Sequence, residues 1–321
     1  MMYPLKFQPL LKERIWGGTN LNRYLGRVLP GDKIGESWDI ACHDSGTTKV
    51  SEGTFVGKSL RELIDMYPQE LLGKSVYMKY GTSFPLLIKI LDAQDILSVQ
   101  VHPDNEKARR LDNEAYGKSE MWYVLYAKEG AQIVFGLKDC TSRQELARAI
   151  QEGCLEKHLN RVRVRKGDIF NIPPGTVHAL GAGIMVAEIQ QNSDAVYRLY
   201  DWNRVDDNGR PRELHVHKAL EAVDFSGGQS HDRVCIEDDD SSGVIIKNDF
   251  YTIEFLSVKG TMALVSNPER FNTLTVVEGK GHIEFEGETY KLNLGDSLLI
   301  PAFMGDYSIK GSLKLLSAYV G

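Results

Sequence analysis

The feature that most constrains the fold of this chain is an internal repeat. Residues 167–173 read Gly-Asp, a short apolar run and then Pro, and residues 295–301 repeat this pattern at an offset of 128. Upstream of the two copies, residues 122–125 and 274–277 also match, at an offset of 152. The difference of 24 residues is about the length of a helical insertion predicted from Thr141 onwards. The chain therefore contains two copies of one β-unit, and the first copy carries the additional helix.

Most of the remaining sequence is typical of short antiparallel strands. Residues 132–135, 161–164, 283–285 and 314–316 are β-prone and are bounded by Gly, Pro, Asp or Asn, which favours a sandwich or barrel. Helices are expected only as insertions. A capping box at Ser59 begins one, a second is predicted from Thr141 to about Leu159, and a third from about Arg212 through Ala222.

Composition limits the class of protein further. The 321 residues include 38 Lys and Arg against 44 Asp and Glu, and a formal net charge of −6 argues against a nucleic-acid partner. The apolar runs fall far short of the roughly 18 residues that a membrane span needs. The N-terminus also lacks the pattern of a secretory signal. We therefore expect a cytoplasmic protein of about two domains, with no membrane partner.

A turn motif in the first copy points to a metal site. The spacing Gly167-x5-Pro173-x-Gly175-x2-His178 resembles the second conserved motif of the cupin superfamily. A glycine turn feeds a strand there, and the Pro-Pro-Gly bend aims His178 into the mouth of a small barrel. The predicted fold is therefore mainly β: two cupin-like β-barrel (jelly-roll) units with helical insertions. Residues 1–236 would form the metal-binding unit and residues 237–321 the C-terminal unit.

The C-terminal unit is predicted to be free of metal. By the repeat offsets, Asp306 stands where the first copy has His178, and Asn272 stands where the first copy has Glu120. These substitutions remove an imidazole and a carboxylate, which are the usual ligands of zinc.

A second polar pattern lies at residues 97–103. If this segment is a strand, Ser98, Gln100 and His102 alternate with apolar residues and share one face. Such a face is either a binding site or the solvent-exposed side of a sheet, and this segment alone leaves both interpretations open.

Several runs together resemble type I mannose-6-phosphate isomerases and follow one another in family order. These runs are residues 15–18, 34–38, 84–89, 97–103, 119–122, 173–179 and 192–198. The resemblance implies an enzyme that interconverts mannose 6-phosphate and fructose 6-phosphate through a cis-enediol, acting as a monomer or weak homo-oligomer. It also implies one zinc ion with four ligands, which would be Gln100, His102, Glu120 and His178.

The resemblance further implies roles for residues around the metal. Arg198 matches the active-site arginine of the family, and its permanent charge suits an enediolate. Ser98 and Lys89 are assigned to the sugar-phosphate substrate, and Lys118, next to a ligand, is the preferred catalytic lysine. Glu188 lies ten positions before Arg198, as the active-site glutamate of the family does. It is either the general base or a buried structural carboxylate.

Two other classes of protein compete with this interpretation. A non-catalytic sugar-phosphate sensor would need the pocket without an acid-base set. An iron-dependent cupin dioxygenase would share the barrel, because cupin barrels support many chemistries. Gln100 argues against the dioxygenase, since those enzymes typically use His and carboxylate ligands. His215 and His217 have metal-like spacing but fall at the start of a predicted helix, where their side chains diverge.

Overall fold

The computed structural model describes residues 2–138, 141–205, 208–226, 233–234, 236 and 242–321. Within these ranges the fold is mainly β, as predicted. The helices are α1 (Asn20–Leu25), α2 (Leu60–Met66), α3 (Pro68–Leu72), α4 (Lys74–Tyr80), α5 (Asn105–Asp112), α6 (Arg143–Gln151) and α7 (Val216–Ala222), and a 3-10 helix spans Leu155–His158. None of the helices in the described ranges is long and apolar enough to cross a membrane.

The strands follow the chain in this order: β1 (Leu5–Gln8), β2 (Leu10–Gly18), β3 (Ile34–Ile40), β4 (Cys42–His43), β5 (Gly46–Thr47), β6 (Lys49–Val50), β7 (Leu86–Ala93), β8 (Val99–Val101), β9 (Glu120–Ala127), β10 (Gln132–Leu137), β11 (Leu159–Arg163), β12 (Ile169–Ile172), β13 (His178–Ala179), β14 (Ile184–Gln191), β15 (Tyr197–Tyr200), β16 (Arg233–Val234), β17 (Gly243–Lys247), β18 (Thr252–Val265), β19 (Asn272–Phe285), β20 (Glu288–Asn293), β21 (Ser297–Ile300) and β22 (Asp306–Tyr319).

Two antiparallel sheets build the first unit. One has the strand order β16-β12-β9-β14-β7-β3-β2, and the other has the order β11-β10-β13-β8-β15. Trp122 and Phe170 of the larger sheet share a buried cluster with Ile133 and Phe135 of the smaller one. The rings of Phe135 and Phe170 meet edge to face at 5.4 Å between centroids. The apolar core of this unit therefore lies between the two sheets.

A third large sheet belongs mainly to the C-terminal copy. Its strand order is β17-β18-β22-β19-β21-β1-β6, with β20 paired to β19. The N-terminal strand β1 joins it, with Leu5 opposite Leu299. The predicted division of the chain at residues 236 and 237 falls next to residues 237–241, which lie outside the described ranges, and it stays a prediction.

The internal repeat has a direct structural counterpart in strand register. Ile172 lies opposite Glu120, and Ile300 lies opposite Asn272, so the partners in the two copies are related by the offsets of 128 and 152. The turns before these strands also match. The backbone nitrogens of Gly167 and Gly295 donate to the carbonyls of Val124 and Val276, each at 2.9 Å. Both glycines have a positive φ, of 89° and 81°, which explains the glycine in each copy.

The predicted helices exist, but two have different limits. Helix α2 begins after the capping box at Ser59, as expected. The prediction that the second helix reaches Leu159 is wrong: α6 ends at Gln151, because Gly153 adopts φ 66° and a 3-10 turn follows. The predicted start at Arg212 is also wrong. Residues 212–215 run alongside β15, where the backbone nitrogen of His215 donates to the Arg198 carbonyl.

Candidate metal centre and substrate cavity

Two histidines and a glutamate meet at one end of the first unit. Glu120 is the first residue of β9, His178 is the first residue of β13, and His102 directly follows β8. One potential ligand atom from each of the three lies within 4.8 Å of the others, and all three side chains are buried. Gln100 of β8 lies opposite His178, with its Nε2 at 3.3 Å from the imidazole Nε2. The pairing of β8 with β13 in the smaller sheet and the start of β9 in the larger sheet therefore together bring all four predicted ligands to one place.

Backbone carbonyls orient both imidazoles. His102 Nδ1 lies 2.7 Å from the Ala195 carbonyl oxygen, and His178 Nδ1 lies 2.9 Å from the Thr176 carbonyl oxygen. A carbonyl accepts only, so each Nδ1 carries the proton and donates it. Each Nε2 is then left with its lone pair, and both lone pairs face Glu120. This is the arrangement in which histidines bind metals.

The residues fit a cation by the chemistry of their donor set. The Glu120 oxygens lie 3.5 Å from His102 Nε2 and 3.2 Å from His178 Nε2, and an unprotonated nitrogen donates nothing to a carboxylate. Within the described ranges both buried Glu120 oxygens lack a hydrogen-bond partner, although Lys118 Nζ forms an ion pair at 2.6 Å. A half-turn of the Gln100 amide would present its oxygen in the same place. Two imidazole nitrogens, a carboxylate and an amide oxygen that converge on one place form a donor set that suits a metal ion.

Burial and neighbouring charges set the protonation states around this cluster. Burial, reinforced by the Lys118 charge, lowers the pKa of His102 to about 3, so its imidazole is neutral. Burial alone would raise the pKa of Glu120, but the Lys118 charge opposes it, and that pKa lies well below its usual value. Burial also opposes the charge of Lys118, yet the Glu120 and Glu188 carboxylates raise its pKa. A neutral imidazole and an ionised carboxylate are the states in which these groups bind metal.

A cavity of about 360 Å³ opens beside the cluster. It is lined by Arg14, Trp16, Glu36, Lys89, Leu91, Leu97, Ser98, Gln100, Lys118, Trp122, Glu188, Asp194, Val196, Arg198 and Arg212. Every predicted site residue thus either lines this cavity or belongs to the adjacent cluster. The segment at residues 97–103 is a buried part of the site, and the alternative of a solvent-exposed sheet face is wrong.

Arg198 of β15 is held on several sides. Its Nη1 donates to the Glu213 carbonyl at 2.6 Å, and its Nε donates to Ser98 Oγ at 3.3 Å. The Arg198 backbone nitrogen donates to His215 Nδ1 at 3.2 Å. Within the described part of the chain, Nη2 has no protein acceptor. The guanidinium is therefore fixed with one nitrogen available to a bound ligand.

A hydrogen bond from one indole orients the Glu188 carboxylate on β14. Trp122 Nε1 donates to Glu188 Oε2 at 2.8 Å, and Lys89 Nζ lies 3.6 Å from Oε1. Oε1 has no hydrogen-bond partner among the described residues. Burial raises the pKa of Glu188 against the opposing charge of Lys118. A buried carboxylate with a raised pKa and one free oxygen is suited to proton transfer.

Several cavity residues were not singled out from the sequence. Glu36 and Asp194 lie inside runs that carry the family resemblance, so that signal was present in the sequence. Arg14 and Arg212 lie outside these runs, so no sequence signal marked them. In the structure, Arg14 donates a hydrogen bond to Glu36 and Arg212 donates one to Asp201, and these bonds hold both side chains at the cavity. His215 and His217 form no metal pair in the structure, but His215 supports Arg198.

Fold and site together define the class of protein. Two copies of one antiparallel β-unit, with a buried His/Glu/His cluster that could hold a metal ion beside a polar cavity in the first, are the features of a two-unit cupin protein. Family models agree: residues 4–134 match the catalytic domain of type I phosphomannose isomerases, and residues 242–320 match the cupin domain of mannose-6-phosphate isomerases.

Full-length relatives identify the family. The chain is 36% identical to mannose-6-phosphate isomerase ManA of Bacillus subtilis, with 99% of each chain covered. It is 35% identical to a mannose-6-phosphate isomerase of Streptococcus mutans, also with 99% of each covered. A crystal structure of the Bacillus subtilis mannose 6-phosphate isomerase superposes with a TM-score of 0.87 at 35% identity, covering 99% of this chain and 100% of that one. The chain belongs to the type I mannose-6-phosphate isomerase family, a family of isomerases.

Proposed function

We propose that this protein is a zinc-dependent aldose–ketose isomerase that interconverts mannose 6-phosphate and fructose 6-phosphate through a cis-enediol intermediate. One observation carries the proposal: the buried ligand cluster lies beside a cavity that presents both a fixed guanidinium and a free carboxylate oxygen. An aldose–ketose isomerisation needs an electrophile for the developing enediolate and a base for the carbon-bound proton. Family membership supports the sugar phosphate as substrate.

The metal would be held by Gln100, His102, Glu120 and His178. With one carboxylate among neutral ligands, a divalent ion keeps a formal charge of about +1. When bound, it would supply Lewis acidity toward a substrate oxygen. Two protein charges next to the ligands would assist the same oxygens, namely the Lys118 ammonium and the Arg198 guanidinium.

Glu188 is the proposed general base. In the direction of fructose 6-phosphate, its Oε1 takes the proton from C2 of the open-chain aldose, the C–H electron pair forms the C1–C2 double bond, and the C1 carbonyl pair moves onto O1, which takes up a proton. O2 then gives up its proton and forms the C2 carbonyl, and the C1–C2 electron pair takes the proton at C1 back from the same carboxyl. Arg198 Nη2 stabilises the negative charge that develops on oxygen. Lys118, which carries its proton, is placed to exchange it with the substrate hydroxyls. Ser98 and Lys89 are proposed to position the substrate, and Ser98 already bonds to Arg198.

The non-catalytic sensor is the second candidate, and the unpartnered Glu188 oxygen argues against it. A binding protein gains nothing from a buried carboxylate that is desolvated and left without a donor, since such a group lowers stability. The sensor interpretation would predict binding of mannose 6-phosphate without turnover.

The proposal is tested by the rate of fructose 6-phosphate formation from mannose 6-phosphate. Purified protein is assayed as prepared, after chelation and after zinc is restored, with metal content measured in each sample. We expect activity to disappear on chelation and to return with about one zinc per chain. No activity in the zinc-restored sample would refute the proposed reaction, and full activity in a metal-free sample would refute the zinc dependence.

A histidine variant with a matched control checks the ligand set. His178→Ala is expected to lose both zinc and activity, because the site loses a neutral nitrogen ligand. His282→Ala removes a histidine from β19 of the C-terminal unit, where the side chain contacts Glu284. This variant should keep both its zinc and its activity. Stoichiometric zinc in His178→Ala would show that the ligand assignment is wrong. A single zinc per chain would also agree with a metal-free C-terminal unit, which stays a prediction, as do the cytoplasmic location and the monomeric or weakly associated state.

A further inference from the structure

A row of aromatic and charged side chains crosses the larger sheet of the first unit along the cavity. Trp38 of β3 lies opposite Lys89 of β7, Lys89 lies opposite Glu188 of β14, and Glu188 lies opposite Trp122 of β9. Directly opposite residues in an antiparallel sheet place their side chains on one face, within reach of each other. The row therefore links the proposed base to β3, a strand that carries none of the proposed catalytic, substrate-binding or metal-binding groups.

Glu36 of β3 reaches the same row. Its Oε2 accepts a hydrogen bond from Trp38 Nε1 at 2.7 Å, and its Oε1 accepts one from Arg14 Nε at 2.7 Å. Lys89 Nζ lies 3.8 Å from Glu36 Oε2 and 3.6 Å from Glu188 Oε1, and it stands 4.9 Å from the centre of the Trp38 ring. Lys89 is thus held almost equally far from two carboxylates, in close hydrogen-bonding contact with neither.

We propose that Glu36 is a positioning residue for the isomerase reaction, and this inference rests on the proposed function. Glu36 draws Lys89 away from Glu188 and so keeps Glu188 Oε1 free toward the cavity. A buried ammonium needs a carboxylate partner, because an unpaired charge is strongly destabilising in the interior. Without the Glu36 charge, Lys89 would close on Glu188, occupy its free oxygen and weaken it as a base.

The charges around Glu188 determine the direction of the expected effect. Lys89 faces it from β7, Lys118 and Glu120 face it from the start of β9, and Glu36 lies behind Lys89. Removal of the Glu36 charge eliminates a negative neighbour and brings a positive one closer. Both changes favour the ionised form of Glu188, so its pKa falls. Glu36 itself stays ionised throughout, because Lys89 and Arg14 outweigh the effect of burial and lower its pKa to about 2.

The test is the pH dependence of kcat in Glu36→Gln. The Glu36 and Glu188 oxygens lie 3.8 and 3.6 Å from Lys89 Nζ and therefore within about 7.4 Å of each other. At an effective dielectric constant of about 20 this separation predicts a shift of about 1.6 pH units. We expect the acidic limb of the profile to move to lower pH by that amount. The plateau kcat should fall about tenfold, because a weaker and partly blocked base transfers protons more slowly. Zinc content should stay within twofold of the wild type.

Asp39→Asn is the matched control, since it lies on the same strand and breaks a buried ion pair with Arg27 outside the cavity. It should lower thermal stability and leave the acidic limb in place. A Glu36→Gln profile that superposes on the wild-type limb overturns the proposal and makes Glu36 a purely structural ion-pair partner.

Lys89→Gln provides an independent measurement, and this measurement remains possible if Glu36→Gln does not fold. It removes a positive neighbour of Glu188, so the acidic limb should move to higher pH, in the opposite direction. An unmoved limb overturns the inference. The proposed function fails separately: a zinc-loaded wild-type protein with no isomerase activity refutes it, whereas an active wild type with unshifted variants refutes only the role of Glu36.

Discussion

Replacement of Arg198 by lysine isolates the contribution of its guanidinium geometry, because the charge is kept. The guanidinium donates to the Glu213 carbonyl at 2.6 Å and to Ser98 Oγ at 3.3 Å, and leaves Nη2 for the substrate. A single ammonium cannot make these three contacts at once. The bonds to Glu213 and Ser98 fix the guanidinium in the free enzyme, and the contact that acts on the transition state is that of Nη2, which is worth up to about 3 kcal/mol as a hydrogen bond between charged groups.

A loss of about 3 kcal/mol corresponds to a drop of about 100-fold in kcat/KM. If the guanidinium acts on the enediolate, kcat should fall by the same factor and KM should change little. The assay is initial-rate formation of fructose 6-phosphate over a range of mannose 6-phosphate concentrations, with zinc content measured in the same preparations. Arg163→Lys, an exposed position on β11, is the matched control and should behave as the wild type.

Activity of Arg198→Lys within twofold of the wild type would refute this reasoning. A double-mutant cycle with Ser98→Ala then separates two roles of the serine. If Ser98 acts only by holding Arg198, Ser98→Ala should cause no further loss in the Arg198→Lys background. If Ser98 binds the substrate directly, KM should rise in both backgrounds.

Other sites provide more direct tests. Glu188→Gln should lower kcat by more than about 10³-fold with zinc retained, since the base is lost; kcat within tenfold of wild type would exclude Glu188 as the base. Gly181→Ala should destabilise the fold by about 3 kcal/mol in denaturant titrations, because a Cβ there would lie 1.7 Å from the Gln132 carbonyl oxygen; an unchanged midpoint would contradict this geometry. Leu72→Ala should lower the free energy of unfolding by about 2–5 kcal/mol, since that side chain is fully buried. A decrease below about 1 kcal/mol would show that the neighbouring side chains fill the space that the leucine leaves.

The parts of the fold that were predictable are those that short-range rules control. The repeat predicted two copies of one β-unit, because a Gly-Asp turn and a terminal proline limit a strand at both ends. It also located His178, since the bend that follows fixes where that side chain emerges. The Glu36–Lys89 contact was not predictable, because it joins β3 and β7 across a long insertion. The early end of α6 depended on one glycine in the left-handed region, which the apolar pattern does not report.

The two copies differ in what covers the corresponding rim of each β-unit. In the first copy, Lys118 and Trp122, on either side of the start of β9, line the cavity. In the second copy the same rim is bonded to helix α3: the Ala302 and Phe271 nitrogens donate to the carbonyls of Leu71 and Leu72, at 3.1 and 3.0 Å. Both leucine side chains are fully buried, and Asn272 satisfies its amide by donating to Ser317 Oγ at 3.0 Å. Asn272 is half-buried beneath this cover. The second unit thus keeps the strand register of the repeat while helix α3 covers its rim, and this cover supports the prediction that the second unit holds no metal.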